Sequence, residues 1–298
     1  MSRGVVLIVH DNGVIEYHRM ALVCAWFIKW HMDVQVCLMG DKGTLIRARD
    51  LPSSEYVFDD MIHLQPDPNK DRCYVSKDGE VKKEGMFLNK SRPSVYELSP
   101  FDETLLIDLD YLIMNDGLNQ VWGSDAPIRI NSIIDNIAFV DKPEERRLHQ
   151  LSIPLYWATV IYFRKSPEAQ AFFEGMEYIR NNYDHYGRLY RFTTHLYRND
   201  YAASIMVHLL NGSTGENGIK WPVQTLPEPE LMFAWDNQPL LKLDTTRAWF
   251  VGHYMNGPGR YVPGLIKDRS VHVMNKQSLI DVGTHWLKDQ HGFGFGYV

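Results

Sequence analysis

Val5-Val6-Leu7-Ile8-Val9 is an unbroken apolar, mostly β-branched run near the start of the chain. A strand with one wet face would alternate polar and apolar residues, so this run must be covered on both sides, as in a parallel sheet between helices. His10-Asp11-Asn12-Gly13 ends it as a turn, Glu16 to Trp30 is long and apolar enough for a helix, and Val34 to Met39 returns as a second strand. Strand, helix and strand in that order make a βαβ unit with a right-handed crossover. The fold class expected is therefore α/β.

The rest of the chain extends this pattern. A third strand is expected within Tyr56 to Leu64, and the polar stretch Gln65 to Glu84, with Pro66 and Pro68, reads as a surface insertion. Ser94 to Leu98 forms a short helical piece after Pro93, and Thr104-Leu105-Leu106-Ile107 is a central strand that runs into Asp108-Leu109-Asp110. Helices are expected at Pro167 to Asn181, with Ser166 as N-cap and Glu168 in the first turn, and at Asp200 to Leu210. Prolines 222, 227, 229, 239, 258 and 263 punctuate short strands in the last third. No internal repeat stands out, so a single domain over 1–298 is expected: a first half, 1–115, and a second, 116–298, that ends in an irregular C-terminal extension.

Composition narrows the function classes. With 45% hydrophobic residues over 298 positions the chain can bury a full core, and its net charge of −6 supplies no global basic field for nucleic acid or an anionic membrane. Cys24, Cys37 and Cys73 are an odd number without CxxC spacing, which suits a reducing compartment. The apolar run at the N-terminus is too short for a signal sequence, and no window approaches the ~18 apolar residues of a membrane span. A cytoplasmic protein with no membrane partner is expected. No P-loop, zinc-type Cys/His cluster or nucleophile-elbow serine is present, which sets aside NTPase and hydrolase readings.

Asp108 and Asp110 stand just past the apolar strand, at its carboxyl end, where open α/β sheets bind ligands. Alternate residues of an extended chain point the same way, so both acids could converge on one hard cation, Mg or Mn, able to bridge two phosphate oxygens. Taken alone, the string also fits aspartates that cap a turn.

The run Arg92-Pro93-Ser94-Val95-Tyr96-Glu97-Leu98-Ser99-Pro100-Phe101-Asp102-Glu103-Thr104-Leu105-Leu106-Ile107-Asp108-Leu109-Asp110 resembles the GT-A nucleotide-sugar glycosyltransferases, in particular the glycogenin-like group. Arg92 precedes Asp108 by 16 positions, which matches the family spacing. The resemblance implies a GT-A fold with a mixed sheet, in which 1–115 binds the nucleotide and 116–298 the donor sugar and acceptor. It implies Mn (or Mg) on Asp108 and Asp110, and a UDP-sugar as donor. Arg92 would contact the nucleotide or its diphosphate.

Further segments look like the family in chain order. His10, Asp11 and Asn12, followed by Tyr17, look like its nucleoside pocket, where an aromatic ring stacks on the base; a tyrosine on the inner face of a helix reads the same. Leu155 to Phe163 looks like the strand that lines the donor sugar, with the usual Asn-x-Gly run replaced by Trp157-Ala158-Thr159, which leaves the sugar unassigned. Asn199-Asp200-Tyr201 is similar to the Asp-Gln helix start beside the sugar; Asp200 would orient a hydroxyl or stabilise charge at the anomeric carbon, or simply cap its helix. Ser270 to Lys276 looks like the strand with a third metal ligand, His272, and a phosphate-binding lysine, Lys276. His253, with Gly257 and Arg260, competes with His272 for the ligand role.

The resemblance to the glycogenin-like group also implies retention of anomeric configuration. Two other readings stay open: a sugar nucleotidyltransferase, and a non-catalytic nucleotide-sugar-binding protein. For the acceptor, the segment Tyr178 to Tyr201 interleaves Arg180, Arg188, Arg191 and Arg198 with tyrosines, a pattern that stacks sugars or tracks a nucleic-acid backbone, or that packs at a domain edge. Leu196 to Ala202 resembles glycosyltransferase-like proteins of large tailed phages. Some phage transferases decorate hydroxymethylated DNA bases, so DNA is one acceptor the resemblance allows, with host cytoplasm as the location.

Overall fold

The computed structural model describes residues 1–65, 72–75, 82–85, 88–136, 144–192, 197–212, 221–228, 230–232, 239–253 and 261–292. The first strand is β1 (Arg3–Val9), followed by helix α1 (Tyr17–Met32) and β2 (Gln35–Gly40), as the sequence expected. A helix the sequence reading did not place, α2 (Lys42–Arg49), comes next; Asp41 caps it by accepting the Thr44 N–H at 2.9 Å. Then follow β3 (Asp60–His63), β4 (Glu103–Ile107), β5 (Tyr111–Leu112), β6 (Ile128–Asn131), β7 (Ile133–Asn136) and β8 (Trp157–Arg164). Helices α3 (Pro167–Asn181), α4 (Tyr183–Tyr190) and α5 (Asn199–Asn211) lead to β9 (Val223–Gln224), β10 (Glu230–Met232), β11 (Leu240–Leu243), β12 (Arg247–His253), β13 (Tyr261–Lys267), β14 (Val271–His272) and α6 (Lys276–His291). Ser166 caps α3 through the Ala169 N–H at 3.2 Å.

The central sheet is mixed and mostly parallel, in the order β9-β6-β8-β4-β1-β2-β3, with β8 antiparallel to both of its neighbours. Both faces are covered, which is why β1 reads as a continuous apolar run. Val5, Leu7 and Val9 join a core with α1 and α6, whereas Val6 and Ile8 join a second core with α3 and α5. The same alternation places Leu105 and Ile107 in the first core and Leu106 in the second.

The chain runs outward from β1 to β2 and β3, then returns to the other side of β1 as β4. That reversal makes the crevice past the carboxyl ends of β1 and β4 the ligand-binding position of such a sheet. Residues 8–12 and 107–112 therefore face each other there.

The last third contains short strands, as its prolines suggested, and in addition α6, which the sequence reading did not place. β11, β12 and β13 form an antiparallel sheet, and β14 pairs with β5, opposing His272 to Tyr111. Helix α6 lies close on α1: a Cβ on Gly283 would stand 2.6 Å from Val23 Cγ1. Trp286 meets Trp26 edge to face, with centroids 4.7 Å apart. Among the described residues no helix is long and apolar enough to cross a membrane.

Candidate functional site

The acid pair sits at the end of β4, but the segment is not extended. The Tyr111 N–H donates to the Asp108 carbonyl at 3.0 Å, which closes Asp108-Leu109-Asp110 into a turn. The backbone expected to be extended is thus a turn, and within it the two carboxylates stay close enough for the charge of Asp110 to act on Asp108. Asp108 faces Arg92, and Asp110 faces Lys276 and His272.

Arg92 is not an exposed helix-start arginine. It is 1% exposed, and its guanidinium donates to Asp108 Oδ1 and to the Ala158 carbonyl. A buried arginine satisfies itself only by such fixed partners, so it ties the turn after β4 to the neighbouring strand β8. The Asp108 N–H donates to the Thr159 carbonyl at 2.8 Å, which adds a second tie. From α1, the Cys24 thiol donates to the Leu109 carbonyl between the two acids.

Asp110 is 7% exposed. Lys276 Nζ lies 2.5 Å from its Oδ2, and His272 Nε2 lies 3.3 Å from the same oxygen. The register explains the convergence: β14 pairs with β5, the Val273 N–H donates to the Asp110 carbonyl at 2.7 Å, and Lys276 begins α6 directly afterwards. Burial opposes ionisation of Asp110, but Lys276 and His272 together hold its carboxyl well below the ordinary range. Asp108 moves the other way: burial raises it, against the opposing charge of Arg92.

Oδ2 of Asp110 and Nε2 of His272 stand as far apart as two adjacent ligands of one cation at about 2.2 Å from each. A carboxylate and an imidazole form a donor set that Mn accepts more readily than Mg does. Asp108 lies close enough for the charges of Asp110 and His272 to act on it, but its Oδ1 is turned to Arg92, and among the described residues no three His, Cys, Asp or Glu side chains form a group that could hold a metal ion. The chain thus offers two adjacent donors, and phosphate oxygens and water would have to complete the shell. His253 ends β12 in a different sheet, where it pairs with Tyr261; its side chain, Gly257 and Arg260 lie outside the described residues.

Across the crevice, His10 is 7% exposed at the end of β1. Its Nδ1 is 3.2 Å from Asp41 Oδ2, and its buried Nε2 has no hydrogen-bond partner among the described residues. Burial lowers its pKa below 6.5, against the pull of Asp41 and Asp11. Asp11 organises the loop: it accepts His18 Nδ1 at 2.7 Å, Arg47 Nε at 2.7 Å and the His18 N–H at 3.1 Å. Asn12 Oδ1 accepts the N–H groups of Val14 and Ile15, an Asx turn. Tyr17 is half-buried against the first core.

The strand expected to line the sugar contributes mainly backbone. Trp157, Ala158 and Thr159 are buried, and the β8 register against β6 shifts between Trp157 and Ile161. Ala158 accepts from Arg92 and donates its N–H to Asp200 Oδ1 at 2.9 Å, while Arg198 pairs with Asp200 Oδ2 at 3.0 Å. Arg146 lies over the Trp157 ring, 5.7 Å from its centroid. Asp200 is therefore joined to Asp108 through Ala158, Thr159 and Arg92. The sequence reading missed Asp41, Thr44, Arg47, His18 and Arg198 in these networks; only the N-cap string Asp41-Lys42-Gly43-Thr44 carried a signal for any of them.

The tyrosine and arginine segment is divided: Tyr178, Arg188 and Arg191 are exposed, and other members pack inward. Tyr183 and Tyr197 are buried, Tyr186 and Tyr190 lean on the second core, and Arg180 pairs with Glu177 at 2.8 Å. Arg198 stands 5.3 Å over the Tyr201 ring, and residues 193–196 lie outside the described residues.

No family model and no curated protein matches this sequence. Solved structures whose descriptions name sugar transferases are similar in shape at low identity. An active-site mutant of LgtC is 12% identical, with a TM-score of 0.44 over 74% of this chain and 72% of that one. The galactosyltransferase LgtC in complex with donor and acceptor sugar analogs is 11% identical, with a TM-score of 0.42 over the same shares, 74% and 72%. Apo mouse xyloside xylosyltransferase 1 is 10% identical, with a TM-score of 0.41 over 70% of this chain and 82% of that one. With TM-scores below 0.5, these likenesses leave the case for function to the residues of the site.

Proposed function

We propose that this chain is a GT-A type, metal-dependent glycosyltransferase that moves a sugar from a nucleoside-diphosphate donor, a UDP-sugar, to an acceptor. The observation that carries this reading is the meeting of Arg92, Asp108, Asp110, His272 and Lys276, from three separate stretches of chain, past the carboxyl end of a central strand. Breaking a sugar-phosphate bond demands stabilisation of the departing diphosphate, and a cation beside basic side chains meets that demand. A bound Mn would supply Lewis-acid stabilisation of the leaving oxygens. Asp110 and His272 would hold it, Lys276 would face the phosphates, and Arg92 would keep Asp108 and the β8 backbone in place.

Asp200, anchored on the Ala158 N–H, is connected to this centre through β8 and is the candidate to face the anomeric carbon. Retention of configuration comes from the family resemblance. DNA as acceptor rests on the phage resemblance alone, and the burial of Tyr183 and Tyr197 removes those two rings from any surface that could stack on it. Incubation with Mn, a panel of nucleotide sugars, and either hydroxymethylcytosine DNA or mixed oligosaccharides tests the reading. Mass analysis should show a hexose or pentose gained by one acceptor or released from a donor; no transfer and no donor hydrolysis with any sugar would count against the enzyme.

A further inference from the structure

Two nitrogen groups, an ammonium and an imidazole, already sit on the oxygen of Asp110 that a cation would use. Lys276 Nζ is 2.5 Å from Oδ2, closer than His272 Nε2 at 3.3 Å. A buried carboxylate needs a partner, because an uncompensated charge in such a place is strongly destabilising. Like charges a few ångströms apart repel strongly where water is excluded, so an ammonium and a divalent cation cannot share that oxygen.

We propose that Lys276 is a placeholder for the cation, and that its transfer from Asp110 to the donor's diphosphate couples metal binding to nucleotide binding. This rests on the nucleoside-diphosphate reading above. The lysine is suited to the exchange: it carries a point charge on a flexible stem, its side chain is 25% exposed, and it is the first residue of α6 while its backbone is fixed by the Asn275 cap. Arg92 cannot do the same, since it is buried and bonded on two sides. When the diphosphate draws the ammonium away, Oδ2 and the His272 nitrogen become available together. By reciprocity, a cation on Asp110 releases Lys276 for phosphate, so each ligand raises the affinity of the other by the same factor.

The consequence has an unusual sign. Lys276→Met should bind Mn alone more tightly than the unaltered chain, on the order of tenfold, and should bind UDP alone more weakly. The Mn–UDP coupling factor should fall, leaving only the part that direct ligation of the cation by phosphate supplies. The measurement is free Mn(II) by electron paramagnetic resonance, with and without UDP, on the unaltered chain, Lys276→Met, Asp110→Asn and the double variant, each checked for fold by circular dichroism. In the Asp110→Asn background, Lys276→Met should no longer change Mn affinity. Thermal stabilisation by Mn should also be larger in Lys276→Met than in the unaltered chain, which reports the exchange even if the variant is less stable.

If Lys276→Met binds Mn no better while UDP and Mn still bind the unaltered chain, the placeholder is wrong and the donor reading stands. If the unaltered chain binds neither ligand, the donor reading fails and takes the exchange with it.

Discussion

Asp200 Oδ1 accepts the backbone N–H of Ala158 at 2.9 Å, so the carboxylate at the start of α5 is fixed to the strand that also anchors Arg92. Its other oxygen takes Arg198 at 3.0 Å. Asp200→Ala should cost about 1–3 kcal/mol in urea denaturation, because it strips the Ala158 amide of its acceptor. Asp200→Asn keeps that acceptor and should cost less. A large loss of transfer rate in Asp200→Asn at near-normal stability would assign the charge to the chemistry; normal transfer would leave Asp200 as a structural tie between α5 and β8.

Arg92 is the buried group on which the turn after β4 depends. Arg92→Met should destabilise the chain by about 3–5 kcal/mol, since it leaves Asp108 without its countercharge. Adding Asp108→Asn to that variant should recover part of the loss. Equal stability of the single and double variants would show that the pair is not coupled.

His10 predicts a pH dependence. Its folded pKa lies below 6.5, because burial disfavours the imidazolium more than Asp41 and Asp11 favour it, with His63 adding to the lowering. The unfolded chain therefore binds the proton first as pH falls. His10 contributes stability that is present above the unfolded value and is lost as pH drops through 6.5 toward the folded value. Denaturation at pH 5, 6 and 7 should show stability falling with acid, and His10→Asn should reduce that slope by up to about 1.4 kcal/mol per pH unit. His31, also lowered by burial, keeps part of the slope in the variant.

The parts of the fold that were legible in the sequence are those fixed by local pattern. The run Val5–Val9 could only be a doubly covered strand, and Ser166 with Pro167 marked a helix start that α3 occupies. Lys276–His291 escaped because its apolar stripe is interrupted by Gly283, a residue unfavourable in a helix, which is there for the close approach to Val23. In the site, residue types pointed to Asp110, His272 and Lys276. What they could not show was that the two acids sit in a turn, with Asp108 paired to Arg92, or that Ala158 and Thr159 act through their backbone, because such bonds leave no mark on side-chain identity.

Gly283 also gives a mechanical test. Gly283→Leu would force α6 away from Val23, costing roughly 1–3 kcal/mol. Because Lys276 begins the same helix, UDP binding in the presence of Mn should weaken along with stability. Lower stability with unchanged UDP affinity would show that the helix does not set the position of Lys276.

The third-ligand assignment separates two histidines. His272→Ala should weaken UDP-dependent Mn binding on the order of 10- to 100-fold, and His253→Ala should change it little. The reverse order in calorimetry would move the ligand to His253, at the end of β12.

The central claim is that Asp110 helps hold a cation that the diphosphate of a nucleotide sugar completes. Calorimetric titration of UDP with and without Mn, into the unaltered chain and Asp110→Asn, tests it most directly. The account predicts that Mn tightens UDP binding of the unaltered chain by about tenfold or more, and that Asp110→Asn loses this gain. UDP binding that is indifferent to Mn and unchanged in Asp110→Asn would contradict it.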